Sequence, residues 1–219
     1  MRSRALSTAL LALGVASTGA CAGTRTLSDP TLEIRSPNGT ELGVCTDYGI
    51  LFLGHTAQGG RIEVTAWFGD GPDIESAVIE PIGGGLYTAD TEIRLPPIPI
   101  EFNEPAPGTF VLVIGRHGEE LWQRTFAVAS DPRVEGMLLA GDGSAVGADQ
   151  VGAGVFVLPG EDEDAKRLVG LVSGQLTLSG PDGERRYLTV VGPRDLWRLV
   201  AHRRDLTQRK RWVYRRDIM

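Results

Sequence analysis

The chain has 219 residues, of which 42% are hydrophobic and 23% charged, a balance that is ordinary for a soluble globular protein with one large or two small domains. Its 29 glycines and 13 prolines favour many short strands joined by tight turns, and they argue against a predominantly helical protein. The formal net charge is −6, and residues 21–193 carry 25 acidic against 11 basic side chains, so this part of the chain is not expected to bind nucleic acid.

The beginning of the chain has the pattern of an export signal. Arg2 and Arg4 precede a short apolar region, and small residues then lead to Cys21. The apolar region is too short for a membrane-spanning helix. We predict a signal peptide over residues 1–21, with Cys21 as the lipidated first residue of a bacterial lipoprotein in the periplasm or cell envelope. Ala20-Cys21-Ala22 also fits ordinary signal peptidase, which would leave the protein freely secreted.

The next 80 residues contain several short strand patterns. Residues 27–43 are turn-rich, and an apolar strand is predicted over 44–53. Residues 61–68 alternate apolar and polar side chains, which is typical of a half-buried strand. Two further short strands, 77–82 and 86–89, are predicted on either side of three consecutive glycines.

A proline-rich segment over 96–107 connects these strands to a second set. The second set consists of apolar runs separated by turn residues, at 107–115, 121–128, 137–140, 155–158, 168–173, 175–178 and 187–191. Glycine and proline between the last two runs indicate a β-hairpin. About ten strands in all, with no helical pattern among them, predict an all-β fold.

The end of the chain is different. Pro193 begins a helical pattern whose predicted apolar face consists of Leu196, Trp197, Leu199, Val200 and Ala201. Residues 194–219 carry nine basic and three acidic side chains. Such a basic tail is typical of a solvated helix surface, and contact with anionic lipid or with the acidic body is the alternative.

Two stretches of the sequence together resemble the trypsin-like serine protease family. Residues 49–57, GILFLGHTA, are similar to the strand that presents the general-base histidine. Val155-Phe156 and residues 168–173, LVGLVS, are similar to the block that follows the nucleophile. The resemblance covers residues 40–205 and implies two antiparallel six-stranded β-barrels with a cleft between them.

The resemblance also implies domain boundaries and site residues. The first barrel is expected over 22–104, the second over 105–193, and a C-terminal helix with a basic tail over 194–219. His55 occupies the position of the base. Asp90 is the nearest match to the acid that orients this histidine, although its strand is one residue short and Asp90 is equally compatible with a plain turn.

The nucleophile motif departs from the family. Counting back from Val155-Phe156 places the serine position at Val151, which has no hydroxyl to attack a carbonyl. Asp149 stands where the family has a glycine that helps to form the oxyanion hole. Ser144 is a displaced candidate nucleophile, but it lies eleven residues before Val155 and would need a rearranged loop. His55 and Asp90 are therefore predicted to be a vestigial base and acid.

Stabilising links known from the family are also absent. Many members have a disulfide between the residue after the histidine and the preceding strand, but Thr56 occupies that following position. If Cys21 is lipidated or removed, Cys45 has no partner within the chain.

No cofactor or metal is expected. The three histidines and Cys45 lack metal-ligand spacing, and the acidic run 161–164 is typical of a solvated hairpin turn. Glycines after the 137–140 strand lack the βαβ context of a dinucleotide site.

The sequence therefore predicts an exported, catalytically inactive trypsin-like protein that binds a peptide or protein ligand in the cleft. One alternative is an active serine protease that uses Ser144. The other is an envelope β-sandwich lipoprotein with a structural or adhesive role, whose likeness to proteases is accidental.

Overall fold

The computed structural model describes residues 30–55, 60–68, 71–93, 95–141, 150–158, 166–181 and 183–216, with side chains through residue 204. Within these residues, twelve strands form two closed antiparallel barrels, and one helix follows. The all-β fold with two barrels and a C-terminal helix is confirmed. The alternative of a β-sandwich is wrong, because each sheet closes on itself instead of facing a second open sheet.

The first barrel consists of the first six strands, in the spatial order β1-β2-β3-β6-β5-β4. Their bounds are β1 Thr31–Ser36, β2 Gly39–Thr46, β3 Gly49–Phe52, β4 Arg61–Phe68, β5 Gly71–Gly83 and β6 Leu86–Ala89. The barrel closes because β1 pairs with both β2 and β4. The alternation predicted for residues 61–68 places Ile62, Val64 and Ala66 in the interior of this barrel.

Two details of the first barrel differ from the sequence prediction. Residues 44–53, predicted as one strand, form the end of β2, a turn at Asp47-Tyr48, and then β3. Residues 27–43, predicted as turns, contain β1, whose polar Thr31 and apolar Leu32 are both buried. A strand with buried neighbours on both sides lacks the alternation that identifies a half-buried strand.

The second barrel has the spatial order β10-β11-β12-β9-β8-β7 and closes through pairing of β10 with β7. Its strands are β7 Phe110–His117, β8 Glu120–Ala129, β9 Met137–Ala140, β10 Gly154–Val157, β11 Arg167–Gly180 and β12 Gly183–Val191. The apolar runs 155–158 and 168–173 pair with each other in the β10–β11 ladder, which contains an irregularity after Val155. The separate strands predicted at 168–173 and 175–178 are one long strand, β11, which is bulged between Val172 and Gly174.

In addition to the interiors of the two barrels, a further cluster of buried side chains lies between the barrels. It includes residues of both barrels, of the connecting segment and of the helix, among them Val44, Leu51, Leu86, Ile100, Ile114, Phe156, Leu168, Leu171, Leu196 and Leu199. The connecting segment is tied to both barrels, because Ile98 bridges to Thr46 and Ile100 bridges to Leu168. The two barrels therefore share a core.

Helix α1, Pro193–Arg216, packs against this shared core. Leu196, Leu199 and Val200 are buried as predicted, whereas Trp197 and Ala201 are exposed. Trp197 instead stacks on Phe102 of the connecting segment, with ring centroids 4.2 Å apart. The apolar face was therefore predicted too wide.

The same helix also reaches the first barrel. Nε2 of His202 lies 2.8 Å from Oε2 of Glu80 on β5, and Nε of Arg203 donates to the carbonyl of Tyr48 in the β2–β3 turn. The domain boundaries stay predictions, and α1 begins one residue before the range predicted for the tail. Across the described part of the chain, no helix combines the length and the hydropathy needed to span a membrane.

Candidate functional site

His55 lies just beyond β3, after a turn that requires glycine. Gly54 has a φ of +69°, and a Cβ at this position would lie 2.1 Å from the ring of Tyr87. The chain therefore turns at Gly54, and His55 becomes exposed at the end of the barrel. Its backbone N–H donates to Oε2 of Glu41 on β2, at 3.3 Å. Among the described residues, no side chain forms a hydrogen bond or ion pair with the His55 ring.

Val151 precedes β10 and lies against the first barrel. Its carbonyl accepts a hydrogen bond from the N–H of Leu42 on β2, at 3.0 Å. The following residue, Gly152, has a φ of +85°, and a Cβ there would lie 2.0 Å from the carbonyl oxygen of Leu42. The Val151 side chain packs against the core between the barrels. The position predicted for the nucleophile is therefore apolar and lies where the two barrels meet.

Strand β2 brings these two segments close together. Glu41 contacts the backbone of His55, and the next residue, Leu42, contacts the backbone of Val151. The Leu42 side chain belongs to the core of the second barrel, although its strand belongs to the first. Neighbouring residues of one strand thus hold the predicted base and the predicted nucleophile position at the same junction.

Asp90 and His55 lie at opposite ends of strand β3. β3 and β6 are antiparallel, with Ile50 opposite Ala89 and Phe52 opposite Tyr87. Asp90 follows Ala89, whereas His55 follows Phe52, so the whole of β3, about 13 Å at 3.3 Å per residue, separates them. The structure does not bring Asp90 to His55, and the Asp90 side chain makes no hydrogen bond with any described residue.

The segment before β6, at the end of this strand nearer to His55, consists of glycines. Gly83 ends β5, and Gly84 and Gly85 form the turn to β6. Since the strands are antiparallel, a side chain that meets a residue after β3 must come from a position before β6, not after it. This rule holds for any antiparallel pair, but the sequence did not reveal that β3 and β6 are neighbours in the sheet. The role of His55 stays a prediction.

Other predicted positions lie outside the described residues. These are the lipid-attachment candidate Cys21, the displaced nucleophile Ser144, Thr56, Asp149 and the acidic run 161–164. In the described part of the chain, histidine, cysteine, aspartate and glutamate form no group of three or more that could hold a metal ion.

Strand β11 has an edge that β10 covers only in part. Pairing with β10 ends at Gly154 opposite Leu171, and the hydrogen bond from Val172 N–H to the Ala153 carbonyl extends it by one residue. β11 nevertheless continues to Gly180, paired with β12 on its other side. Over residues 173–180, no described strand pairs with the edge of β11 that faces β10. This edge begins beside Gly152, whose N–H donates to the Val172 carbonyl at 2.8 Å.

From residue 174 onwards, β11 and β12 form a long hairpin, here called the arm, residues 174–189 without 182, whose residues 187–189 also pair with β9. Arg133 holds the arm at its far end, where Nη1 donates to the Ser179 carbonyl at 2.9 Å. The same guanidinium donates to both carboxylate oxygens of Asp131, each at 2.8 Å. These hydrogen bonds lower the pKa of Asp131 to about 2. The hairpin predicted from the glycine and proline between residues 175–178 and 187–191 is therefore confirmed, but its strands are longer than predicted.

A separate cavity of about 420 Å³ lies at the start of α1. It is lined by Glu104, residues 135–137 and residues 190–195, and neither His55 nor Val151 borders it. The cavity is therefore distinct from the junction described above.

Comparison with known proteins gives structural matches only. No protein-family model and no curated protein matches the chain. Among solved structures, the MamO protease domain from Magnetospirillum magneticum in its apo form is similar, with a TM-score of 0.56 and 19% identity over 81% of this chain and 97% of that one. The human pathogenic astrovirus serine protease gives a TM-score of 0.52 and 15% identity, covering 76% of this chain and 91% of that one.

The inactive form of the Rv3671c protease from M. tuberculosis is also similar, with a TM-score of 0.54 and 16% identity over 78% of this chain and 88% of that one. At these identities the similarity extends to the fold alone. The fold is therefore the two-barrel fold of trypsin-like serine proteases, as the resemblance implied.

Proposed function

We propose that this protein is an exported, catalytically inactive homologue of trypsin-like serine proteases, which binds a peptide or protein segment at the junction of its two barrels. The observation that carries the proposal is that a valine, Val151, occupies the position predicted for the nucleophile. Its backbone is held against Leu42 at the junction, and its side chain offers neither a proton nor a lone pair for attack on a carbonyl.

The surroundings of His55 support the same conclusion. Catalytic histidines of this kind depend on a carboxylate that fixes the ring and stabilises its charged form. Asp90 lies at the opposite end of β3, and the turn before β6 offers glycines in its place. Among the described residues, His55 therefore has no carboxylate that would orient it as a base.

The edge of β11 that no described strand covers supports peptide binding. An extended segment can add a strand to such an edge, with main-chain hydrogen bonds supplying affinity and side-chain pockets supplying specificity. Residues 173–180 offer this edge next to Gly152 and Val151, and Arg133 braces its far end. We propose that the ligand binds there in extended conformation.

The proposed location rests on the sequence. An export signal over residues 1–21 with lipid on Cys21 would hold the binding protein at the cell envelope. Mass spectrometry of the membrane fraction tests this, since a lipidated N-terminal Cys21 is expected. An unmodified N-terminus beyond Cys21 would mean free secretion.

Labelling with a fluorophosphonate probe tests the absence of catalysis. Purified wild-type protein should show no labelled peptide after digestion, because no serine is expected to be activated. Stoichiometric labelling at Ser144 would instead identify a displaced nucleophile and establish the alternative of an active protease. A catalytically competent serine protease, treated in parallel, shows that the probe is reactive.

Peptide display tests the binding mode. Peptides selected on the wild-type protein should lose affinity when alternate backbone amides are N-methylated, because each methyl removes a main-chain donor to β11. N-methylation at the intervening positions, whose N–H groups point away, is the matched control. Equal effects at all positions would exclude binding as an added strand.

A further inference from the structure

The carboxylate of Glu41 is buried at the barrel junction. Within the described residues, Glu41 and Arg116 are the charged side chains that are fully buried, and Glu41 is only 4% exposed. A charged group in such a place is costly unless hydrogen bonds compensate its desolvation. Its retention in β2 therefore calls for a specific partner.

The partner is the segment that carries His55. The β2–β3 ladder ends at Gly43 opposite Phe52, so Leu53, Gly54 and His55 continue without a backbone ladder to β2. Oε2 of Glu41 accepts the His55 N–H at 3.3 Å, two residues along β2 from the last ladder pair. Beyond the last main-chain pair of β2 and β3, the side chain of Glu41 thus forms a hydrogen bond with the backbone of His55.

Among the described residues, no disulfide fixes this turn, and Cys45 on β2 forms none. The hydrogen bond from the His55 N–H to Glu41 is a polar link between β2 and the residue that follows Gly54. Leu42, the next residue, holds Val151 at the same junction. Movement of β2 at this point would displace both segments together.

We propose that Glu41 is a positioning residue of the junction, whose buried carboxylate fixes the backbone of His55 and so directs its imidazole beside the Val151 segment. This inference rests on the proposed function for its effect on ligand binding. The structural part, the hydrogen bond to the His55 N–H, stands independently.

Amide hydrogen exchange of His55, followed by NMR on the full chain, tests the structural part. The N–H should exchange slowly in wild type although the residue is exposed, and Glu41→Ala should accelerate its exchange about tenfold or more. Glu41→Gln keeps an acceptor oxygen and should restore most of the protection. Glu41→Asp, which is one methylene shorter, should accelerate exchange with less risk to folding.

Thr88→Val is the matched control. It removes a buried hydroxyl that donates to the Ile50 carbonyl at 2.7 Å in the same barrel, without touching His55. It should leave the His55 exchange rate at the wild-type value. Unchanged His55 exchange in both Glu41→Ala and Glu41→Asp, or equal acceleration throughout the first barrel, would overturn the proposal. So would a failure of Glu41→Gln to restore protection.

A double-mutant cycle with a selected peptide tests whether Glu41 acts through His55. Glu41→Ala should raise Kd in the wild-type background but have no further effect in a His55→Ala background. Additive effects would overturn the positioning role. If no peptide binds, the proposed function fails, while the exchange result still decides the role of Glu41.

Discussion

Gly152 allows the Val151 segment to approach the first barrel. Its φ of +85° suits glycine, and its Cα faces the backbone of Leu42 so closely that a Cβ would lie 2.0 Å from the carbonyl oxygen. Backbone atoms cannot move aside as a flexible side chain can. The close approach of the two barrels at the junction therefore depends on this single residue.

We expect Gly152→Ala to destabilise the protein by about 3 kcal/mol or more, because strain at positive φ adds to a clash with backbone. Gly85→Ala is the matched control, since Gly85 has a φ of +77° with open space around its Cβ position. It should cost only about 1–2 kcal/mol. Urea unfolding measures both, and equal losses would mean that the approach to Leu42 is not tight.

Val151→Ser should not create a protease. The substitution supplies a hydroxyl at the junction, but no described carboxylate orients His55, and by the family resemblance Asp149 replaces the glycine that helps to form the oxyanion hole. Loss of the orienting acid alone costs about 10⁴ in kcat in a well-studied triad. Peptide hydrolysis and fluorophosphonate labelling should match those of Val151→Ala. Labelling of the new serine would show that His55 is already activated.

At the scale of elements, the arm depends on a cluster outside it. Arg133 joins the Ser179 carbonyl to Asp131, and hydrogen bonds from Arg133 lower the pKa of Asp131 from 3.8 to about 2. A carboxylate whose pKa is lowered by folding stabilises the fold above its unfolded pKa, and this contribution is lost as the pH falls through the folded pKa. The interaction between Asp131 and Arg133, which supports the arm at Ser179, should therefore weaken in acid.

Amide exchange of residues 176–180 should consequently become less protected, relative to β7, as the pH falls from about 4 towards 2. Asp131→Asn should show the weakened state already at neutral pH and remove the pH dependence. Arg35→Ala, which breaks an exposed ion pair with Glu33 in the first barrel, is the control and should leave the arm unchanged. An arm whose protection is the same in Asp131→Asn would not be braced by this cluster.

Local sequence patterns predicted the individual strands better than they predicted which strands lie side by side. The alternation over 61–68 and the apolar runs of β10 and β11 were visible because burial repeats along one strand. The pairing of β3 with β6 is non-local, so the sequence did not reveal that Asp90, which follows Ala89, lies at the opposite end of β3 from His55. Glu41 was overlooked because a charged residue is usually exposed, and its burial arises only when β2 lies beside the end of β3.

At the scale of the whole molecule, the two barrels do not have fully separate cores. Leu51 and Leu86 from the first barrel, Phe156 and Leu171 from the second, and Leu199 from α1 belong to one buried cluster. The helix follows the second barrel in sequence yet contacts the first through His202 and Arg203. A change on the helix should therefore affect both barrels.

We expect the barrels to unfold together and Leu199→Ala to shift both transitions by the same amount. Leu199 is fully buried, and truncation of such a leucine costs about 2–5 kcal/mol. Trp67 on β4 and Trp122 on β8 allow each barrel to be followed separately, in variants where the other tryptophans are replaced by phenylalanine. Coincident fluorescence transitions in urea, before and after Leu199→Ala, would establish one cooperative unit. If the Trp67 transition kept its midpoint while the Trp122 transition moved, the helix would stabilise the second barrel alone, and the junction between His55 and Val151 would not be held by a shared core.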